Sequence, residues 1–355
     1  MIRTVVTRLF SVTLLVCISG SAGASAAEPV VSVLVGGLLK PEGGTFDPDR
    51  SPLDSPFGVG LDRAGNLYAV ELGGGRVHEL SPDGKLTTLA GRHKATGYRG
   101  DGGPAGEALF NGMHNLAVTP EGDLYIADSW NHCVRKIDGR TGVISTFAGT
   151  GKAGFRGDGG PADRASFDYL MCVTLSPSGD KLYLTDLRNR RVRAIDMKTR
   201  VVTTVAGDGR RGVPRDGAPA AKSPLVDPRA AAPDSKGNVY ILERAGHALR
   251  VVTPDGRIRT VAGTGKPGDK DGPAREAMLN SPKHLCVDDR DRVYIADDLN
   301  AKIRRYDPES QTLTTVLGGG TGAPPVRLSH PHGVWFHGGV LYVVDTGHNR
   351  ILTVR

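Results

Sequence analysis

The sequence predicts an all-β chain of six tandem four-stranded units closed into a six-bladed β-propeller, with an N-terminal strand completing the last blade. Three observations carry this expectation. First, a segment with a Tyr followed three residues later by a carboxylate recurs six times: "GNLYAVE" ending at Glu71, "GDLYIAD" at Asp128, "DKLYLTD" at Asp186, "GNVYILE" at Glu243, "DRVYIAD" at Asp297 and "GVLYVVD" at Asp345. Second, the Tyr residues at 68, 125, 183, 240, 294 and 342 are 57, 58, 57, 54 and 48 apart, so the units share one plan. Third, the last unit stops after its third strand, "ILTVR", and the missing fourth-strand pattern stands at the other end of the chain as "VSVLVGG" (Val31–Gly37). Pairing those two pieces would latch the ring and remove two sheet edges.

Each element follows from local chemistry. The first strand of a unit is an apolar piece such as Leu116-Ala117-Val118, and the turn Thr119-Pro120-Glu121-Gly122 leads into the Tyr strand, with Gly supplying a positive φ. A third strand, as in Cys133–Ile137, turns at Asp138-Gly139. The fourth is rich in Thr and Val: "KLTTLAG", "VISTFAG", "VVTTVAG", "RIRTVAG" and "TLTTVLG". Glycine numbers 49 of 355 residues, and much of it falls in "GDGGPA" (Gly100–Ala105 and Gly157–Ala162) and its echoes "RDGAPA" (Arg215–Ala220) and "KDGPA" (Lys270–Ala274). These lie after a fourth strand and before the next first strand, so they read as joints between blades. Gly permits the reversal, Asp is expected to cap the short helix that follows, and Pro is expected to end strand pairing. A phosphate-binding loop would end in Lys-Ser or Lys-Thr, and none of the four does.

The first 27 residues read as an export leader: Arg3 and Arg8, the apolar Leu9–Ser19, then the small-residue run Ala24-Ser25-Ala26-Ala27 before Glu28. The apolar part is too short for a bilayer anchor, which predicts a periplasmic or secreted protein with no membrane insertion after cleavage. Residues 28–355 then form a single domain. Removing two Arg lowers the formal charge from +7 to about +5, mildly basic and short of a dedicated polyanion binder, and export argues against a nucleic-acid partner. Cys133, Cys172 and Cys286 remain, an odd number whose spacing fits neither a zinc knuckle nor a redox pair. They read as small buried hydrophobes, with a Cys172–Cys286 bridge as the alternative.

The motifs "GDGGPA", "P-x-G-[LV]", "G-[ND]-[LV]-Y-[IV]-A-D", "N-H-x-V-R-K" and "T-x-A-G-T-G" resemble those of the NHL-repeat six-bladed propellers, of an exported bacterial type, over residues 31–355. The resemblance implies the fold. It leaves the function open, because such propellers include binding domains and enzymes. It also implies that the first strands line the central channel and that the segments leading into them gather at one mouth. The lead-in residues are Phe57, His114, Met171, Arg229, Lys283 and His332, and the next positions hold Gly58, Asn115, Cys172, Ala230, His284 and Gly333. Loops after the second strands bring Trp130, Arg188, Arg190 and Arg244 to the same end, beside the inter-blade Arg156 and Arg215. The candidate ligand-binding residues are therefore His114, Asn115, Trp130, Arg229, Arg244, Lys283, His284 and His332.

The six strand-end carboxylates occur in every unit, which argues for a structural role accepting backbone N–H groups or pairing with nearby Asn and Arg. No nucleophile stands out, since Ser129 has no elbow motif around it. Amidating lyases of similar fold hold zinc with three channel-mouth His in "P-H-x-[IL]" segments. Here His114 and His332 match, but Arg229 stands where a third ligand would be needed. A gluconolactonase-like set of Glu, Asn and Asp is not identifiable beyond Asn115. No cofactor, metal site or catalytic residue is expected. The function expected is that of an exported, monomeric binding module, not an enzyme, taking an anionic small molecule, a cell-envelope glycan or a protein partner at the channel mouth. The alternative is a metal-assisted lyase or lactonase using the same mouth.

Overall fold

Short β-branched segments separated by glycine turns leave each unit one arrangement, a meander whose strands pair in chain order. The computed structural model describes residues 29–36, 52–321 and 325–355 and resolves them into six antiparallel sheets, one per repeat. In blade 2, Met113–Val118, Leu124–Asp128, Cys133–Ile137 and Ile144–Ala148 lie side by side from channel to rim. The inner strands of blades 1 and 3–6 are Pro56–Leu61, Leu170–Leu175, Pro228–Pro233, His284–Val287 and Pro331–His337. Core clusters sit between blades: Tyr125, Phe147, Phe167 and Leu182 fill the space between blades 2 and 3. Burying each such side chain contributes about 1.5–3 kcal/mol, so a blade is stable only against its neighbours.

Val31–Gly36 is the outermost strand of blade 6, antiparallel to Arg350–Val354, with Val31 opposite Val354 and Gly36 opposite Arg350. The chain thus closes its own ring, as the missing strand predicts. The leader expected at residues 1–27 lies outside the described residues. Among the described residues no helix is long and apolar enough to cross a membrane. Cys133, Cys172 and Cys286 are all buried and unpaired with one another, so the Cys172–Cys286 bridge is absent.

Two expectations are corrected. Blades 4 and 5 have five strands, because Ala218–Pro219 and Gly272–Pro273 pair with the outer strands of the blades they introduce. The other joints begin the same contact, Pro104 bridging Val143 and Pro161 bridging Val201. Proline is the last residue of these two short rim pairings, an edge position that tolerates it. Nor does the motif Asp cap a helix: the 3-10 turns Ala105–Glu107 and Ala162–Arg164 start from Pro with no side-chain cap. Asp101 accepts from Arg135 Nη2 (2.6 Å) and Thr146 Oγ1 (2.6 Å), and Asp158 from Arg193 Nη2 (2.7 Å) and Thr204 Oγ1 (2.6 Å). In these two joints the glycine motif is a latch that clips the joint to the third and fourth strands of the next blade.

Third-strand arginines reach inward to the strand-end carboxylates: Arg135 to Asp128 (3.5 Å), Arg193 to Asp186 (3.4 Å), Arg250 to Glu243 (2.6 Å) and Arg304 to Asp297 (3.0 Å). Each carboxylate also accepts a backbone N–H from the lead-in segment, as Asp128 does from Asn111 and Asp186 from Asp168, both at 2.7 Å. These acids hold the lead-in segments in place.

Candidate functional site

The segment leading into each inner strand is shaped by two backbone devices. The residue two before the lead-in position adopts a left-handed conformation in five blades, at Ser55 (φ 53°), Gly112 (69°), Tyr169 (67°), Ser281 (54°) and His330 (47°). The pairing with the second strand then skips one residue, Phe57, His114, Met171, Arg229 and His332 in blades 1–4 and 6. A β-bulge leaves its extra residue out of the ladder and re-aims its side chain. The lead-in positions are thus freed from pairing, and they differ in chemistry for that reason.

Arg229 is 5% exposed. Its Nε is buried with no hydrogen-bond partner, and no carboxylate stands within ion-pairing distance of it, among the described residues. Burial, then the charge of Arg244, lowers its pKa to about 10, so it stays cationic at neutral pH. Two other candidate cations are partnered: Lys283 lies 3.3 Å from Asp298, and Arg244 Nε donates to Asp227 at 2.8 Å. The imidazoles carry no charge. Burial and Arg229 lower His114 to about 3 and His332 to about 2. His114 Nδ1–H donates to Gly112 O (2.8 Å), leaving Nε2 as an acceptor, while the buried Nδ1 of His332 has no partner among the described residues.

An aromatic shelf adjoins these groups. Trp130 is 40% exposed, stacks on Tyr169 (centroids 6.5 Å, 29°) and donates its Nε1–H to the Tyr169 hydroxyl at 2.5 Å. Arg188 lies over the other ring at 4.6 Å. Trp130 also covers Gly112, where a Cβ would come within 2.5 Å of the indole. Tyr169 was not among the sequence-derived candidates. The available signal was its column, which it shares with Gly112: a bulky residue held at positive φ there is strained, and such strain gathers at functional sites.

Asn115 and His284 stand deeper. Asn115 Oδ1 accepts from Val173 N (2.9 Å) and its Nδ2–H donates to His284 Nε2 (3.0 Å), joining blades 2 and 5 across the channel. Cys172 Sγ is 3.6 Å from the same nitrogen. Gly58 makes room, since a Cβ there would lie 2.8 Å from the Cα of Asn115. These two predicted residues thus form a bridge below the mouth. Among the described residues no three His, Cys, Asp or Glu converge on a point, and the Phe57 ring packs against both His332 (4.0 Å) and His114 (5.3 Å). The donor set does not fit the zinc of the lyases.

Residues 110–137, which carry Trp130 and the first three strands of the second blade, match the NHL repeat model. The fold is an NHL-repeat six-bladed β-propeller. NHL repeat-containing protein 2 of Gallus gallus is 26% identical over 342 residues, covering 85% of this chain and 46% of its own length. The chain spans less than half the length of the curated relatives it matches. Among solved structures, an auxiliary nutrient binding protein from Bacteroides thetaiotaomicron superposes with a TM-score of 0.65 at 15% identity, covering 92% of this chain and 76% of that one. A virginiamycin B lyase from Staphylococcus aureus does so with 0.54 at 13%, covering 84% and 94%. At such identities the NHL-type propeller fold is what is shared, and it serves binding proteins and enzymes alike.

Proposed function

We propose that the NHL-type propeller is an exported binding module that takes an anionic, glycan-like small molecule at the lead-in mouth. The observation that carries this reading is Arg229, a buried guanidinium with no acid of its own among the described residues. A buried charge is normally paired, so an anion from outside would complete the site. The uncharged His114 Nε2 is suited to a ligand hydroxyl, and the Trp130–Tyr169 shelf to the apolar face of a sugar ring. A hexuronic acid combines those features.

Calorimetric titration with glucuronate and galacturonate, against glucose as the neutral control, tests the reading. The acids should bind and glucose should not. Losing a charge-assisted contact costs about 1.5–3 kcal/mol, so Arg229→Ala should weaken the acids by roughly tenfold or more, and added salt should weaken them too. Equal affinity in parent and Arg229→Ala would remove the assignment.

A further inference from the structure

Neighbouring blades meet face to face, and two interfaces built on one plan are filled differently. Between blades 2 and 3 long side chains close the space. Phe147 packs edge-to-face on Tyr125 (4.6 Å, 77°), and Arg200, from the turn after the third strand of blade 3, lies 3.6 Å over the Phe147 ring. Lys136, opposite Tyr125 in the strand pairing, stands 5.9 Å over the phenol ring. Between blades 3 and 4 each counterpart is shorter. Val205 replaces Phe147, Gly256 replaces Arg200, and Ala194 stands opposite Tyr183. The shorter side chains leave a cleft of about 950 Å³ lined by Tyr183, Ala194, Val205, Val252 and Gly256. It opens between the turns at Ser176–Asp180 and Pro233–Gly237, at the end of the ring away from the lead-in mouth. Its volume falls within the range of small-molecule sites.

The polar groups of the cleft narrow what it can take. Tyr183 is 7% exposed, and its hydroxyl has no hydrogen-bond partner among the described residues. Burial, then the charge of Asp180, raises its pKa, so the phenol is neutral. Asp196 Oδ1 accepts from Thr199 N (2.7 Å) and Oγ1 (2.9 Å), and Asp180 Oδ1 from the hydroxyls of Ser176 and Ser178 (both 2.6 Å). Each Oδ2 is left without a partner among the described residues, and Asp180 is near enough to act on Asp196. In blade 2 the matching oxygen, Asp138 Oδ2, faces Lys136 Nζ at 3.9 Å. Lys236 is taken up by Asp291 (3.1 Å), and Asp234 by Asn238 (2.7 Å). Lys181 lies opposite Asp196 in the strand pairing but makes no ion pair among the described residues, so the edge holds two carboxylates against one ammonium.

We propose that this cleft is a second binding site, taking an aromatic amine whose ring lies against Tyr183 and whose ammonium meets Asp180 and Asp196. The ligand supplies the ring of Phe147 and the cation of Lys136, the two groups that close the neighbouring interface and that this one lacks. The site is separate from the anion site, because the two open at opposite ends of the ring.

The probe is 4-fluorophenethylamine, followed by fluorine NMR, and it should saturate at one per chain. Its alcohol, 4-fluorophenethyl alcohol, should bind about fivefold more weakly, as an exposed ion pair allows, and 3-(4-fluorophenyl)propanoate more weakly still. Val205→Phe, which puts the ring of blade 2 into the cleft, should weaken the amine about tenfold or more, the worth of one buried ring. Ala194→Lys, which restores the ammonium instead, replaces it if the first variant does not melt cooperatively. Asp196→Asn, which keeps an acceptor oxygen for the turn, should narrow the preference for amine over alcohol. Failure to saturate, full affinity in the filled variant, or a preference unchanged in Asp196→Asn would each overturn the proposal. So would tighter binding of the propanoate, which would give the edge to Lys181, or loss of the amine in Trp130→Ala, which would move it to the lead-in shelf.

Discussion

Arg229 sits where a cation is expensive, and the surroundings record that expense. Its field is the second cause, after burial, that holds His114 and His332 unprotonated. Replacing the guanidinium by an isosteric apolar chain should therefore stabilise the empty protein. Arg229→Met is expected to gain about 1–2 kcal/mol, a rise of roughly 1.5–3 °C in Tm, while losing anion binding. Differential scanning calorimetry checks this, and a lower Tm would mean that the guanidinium is satisfied. The imidazoles give a pH signature. An unfolded His gains its proton near pH 6.5, whereas folded His332 stays neutral to about pH 2, so the unfolded state binds more protons in between. Stability is then lost as pH falls from 6.5, by about 1.4 kcal/mol per pH unit per such His. Asp128, Asp186 and Asp297, raised to about 6 by burial, pull the other way between pH 4 and 6. The informative quantity is thus a difference: His332→Gln should be less acid-sensitive than the parent by that slope, measured by urea titration from pH 6 to 4.5. Parallel pH profiles would contradict a buried neutral His332.

At the scale of elements, the repeat explains both what the sequence revealed and what it hid. Strand identity, the six-fold count and the latch at Val31–Gly36 were legible because each recurs or completes a pattern. The structural role of the strand-end acids was legible for the same reason. The motif Asp was misread, because its partner, Arg135 or Arg193, comes 34 or 35 residues later on another strand. Local rules favour a cap, and tertiary pairing overrides them. The latch and the arginines make separate predictions. Deleting residues 29–36 exposes Arg350–Val354 as an open edge, and the variant should melt several degrees lower or aggregate, as followed by light scattering. Arg193→Met leaves Asp186 buried without its cation, at a cost of about 3–5 kcal/mol. Adding Asp186→Asn should recover part of that loss in urea unfolding, whereas additive losses would show that the pair is not coupled.

At the scale of the whole molecule, the ring brings together residues that no local reading could join. Asn115 and His284 are 169 residues apart and meet only because six inner strands close around one axis. Sequence placed them beside Arg229 at the mouth, and closure places them beneath it as a partition. The sequence likewise showed Arg229, Arg244 and Lys283 as equivalent cations. Asp227 and Asp298, on neighbouring loops, neutralise two of them and leave one. What distinguishes the mouth is thus a buried guanidinium with no ion pair among the described residues, beside neutral imidazoles and an aromatic shelf. Crystals equilibrated with selenate and measured at the selenium edge test this most directly. The account predicts an anomalous peak within hydrogen-bonding distance of the Arg229 guanidinium, absent in Arg229→Met. Selenate bound only at exposed surface cations, with Arg229 held by a carboxylate of the chain itself, would contradict it.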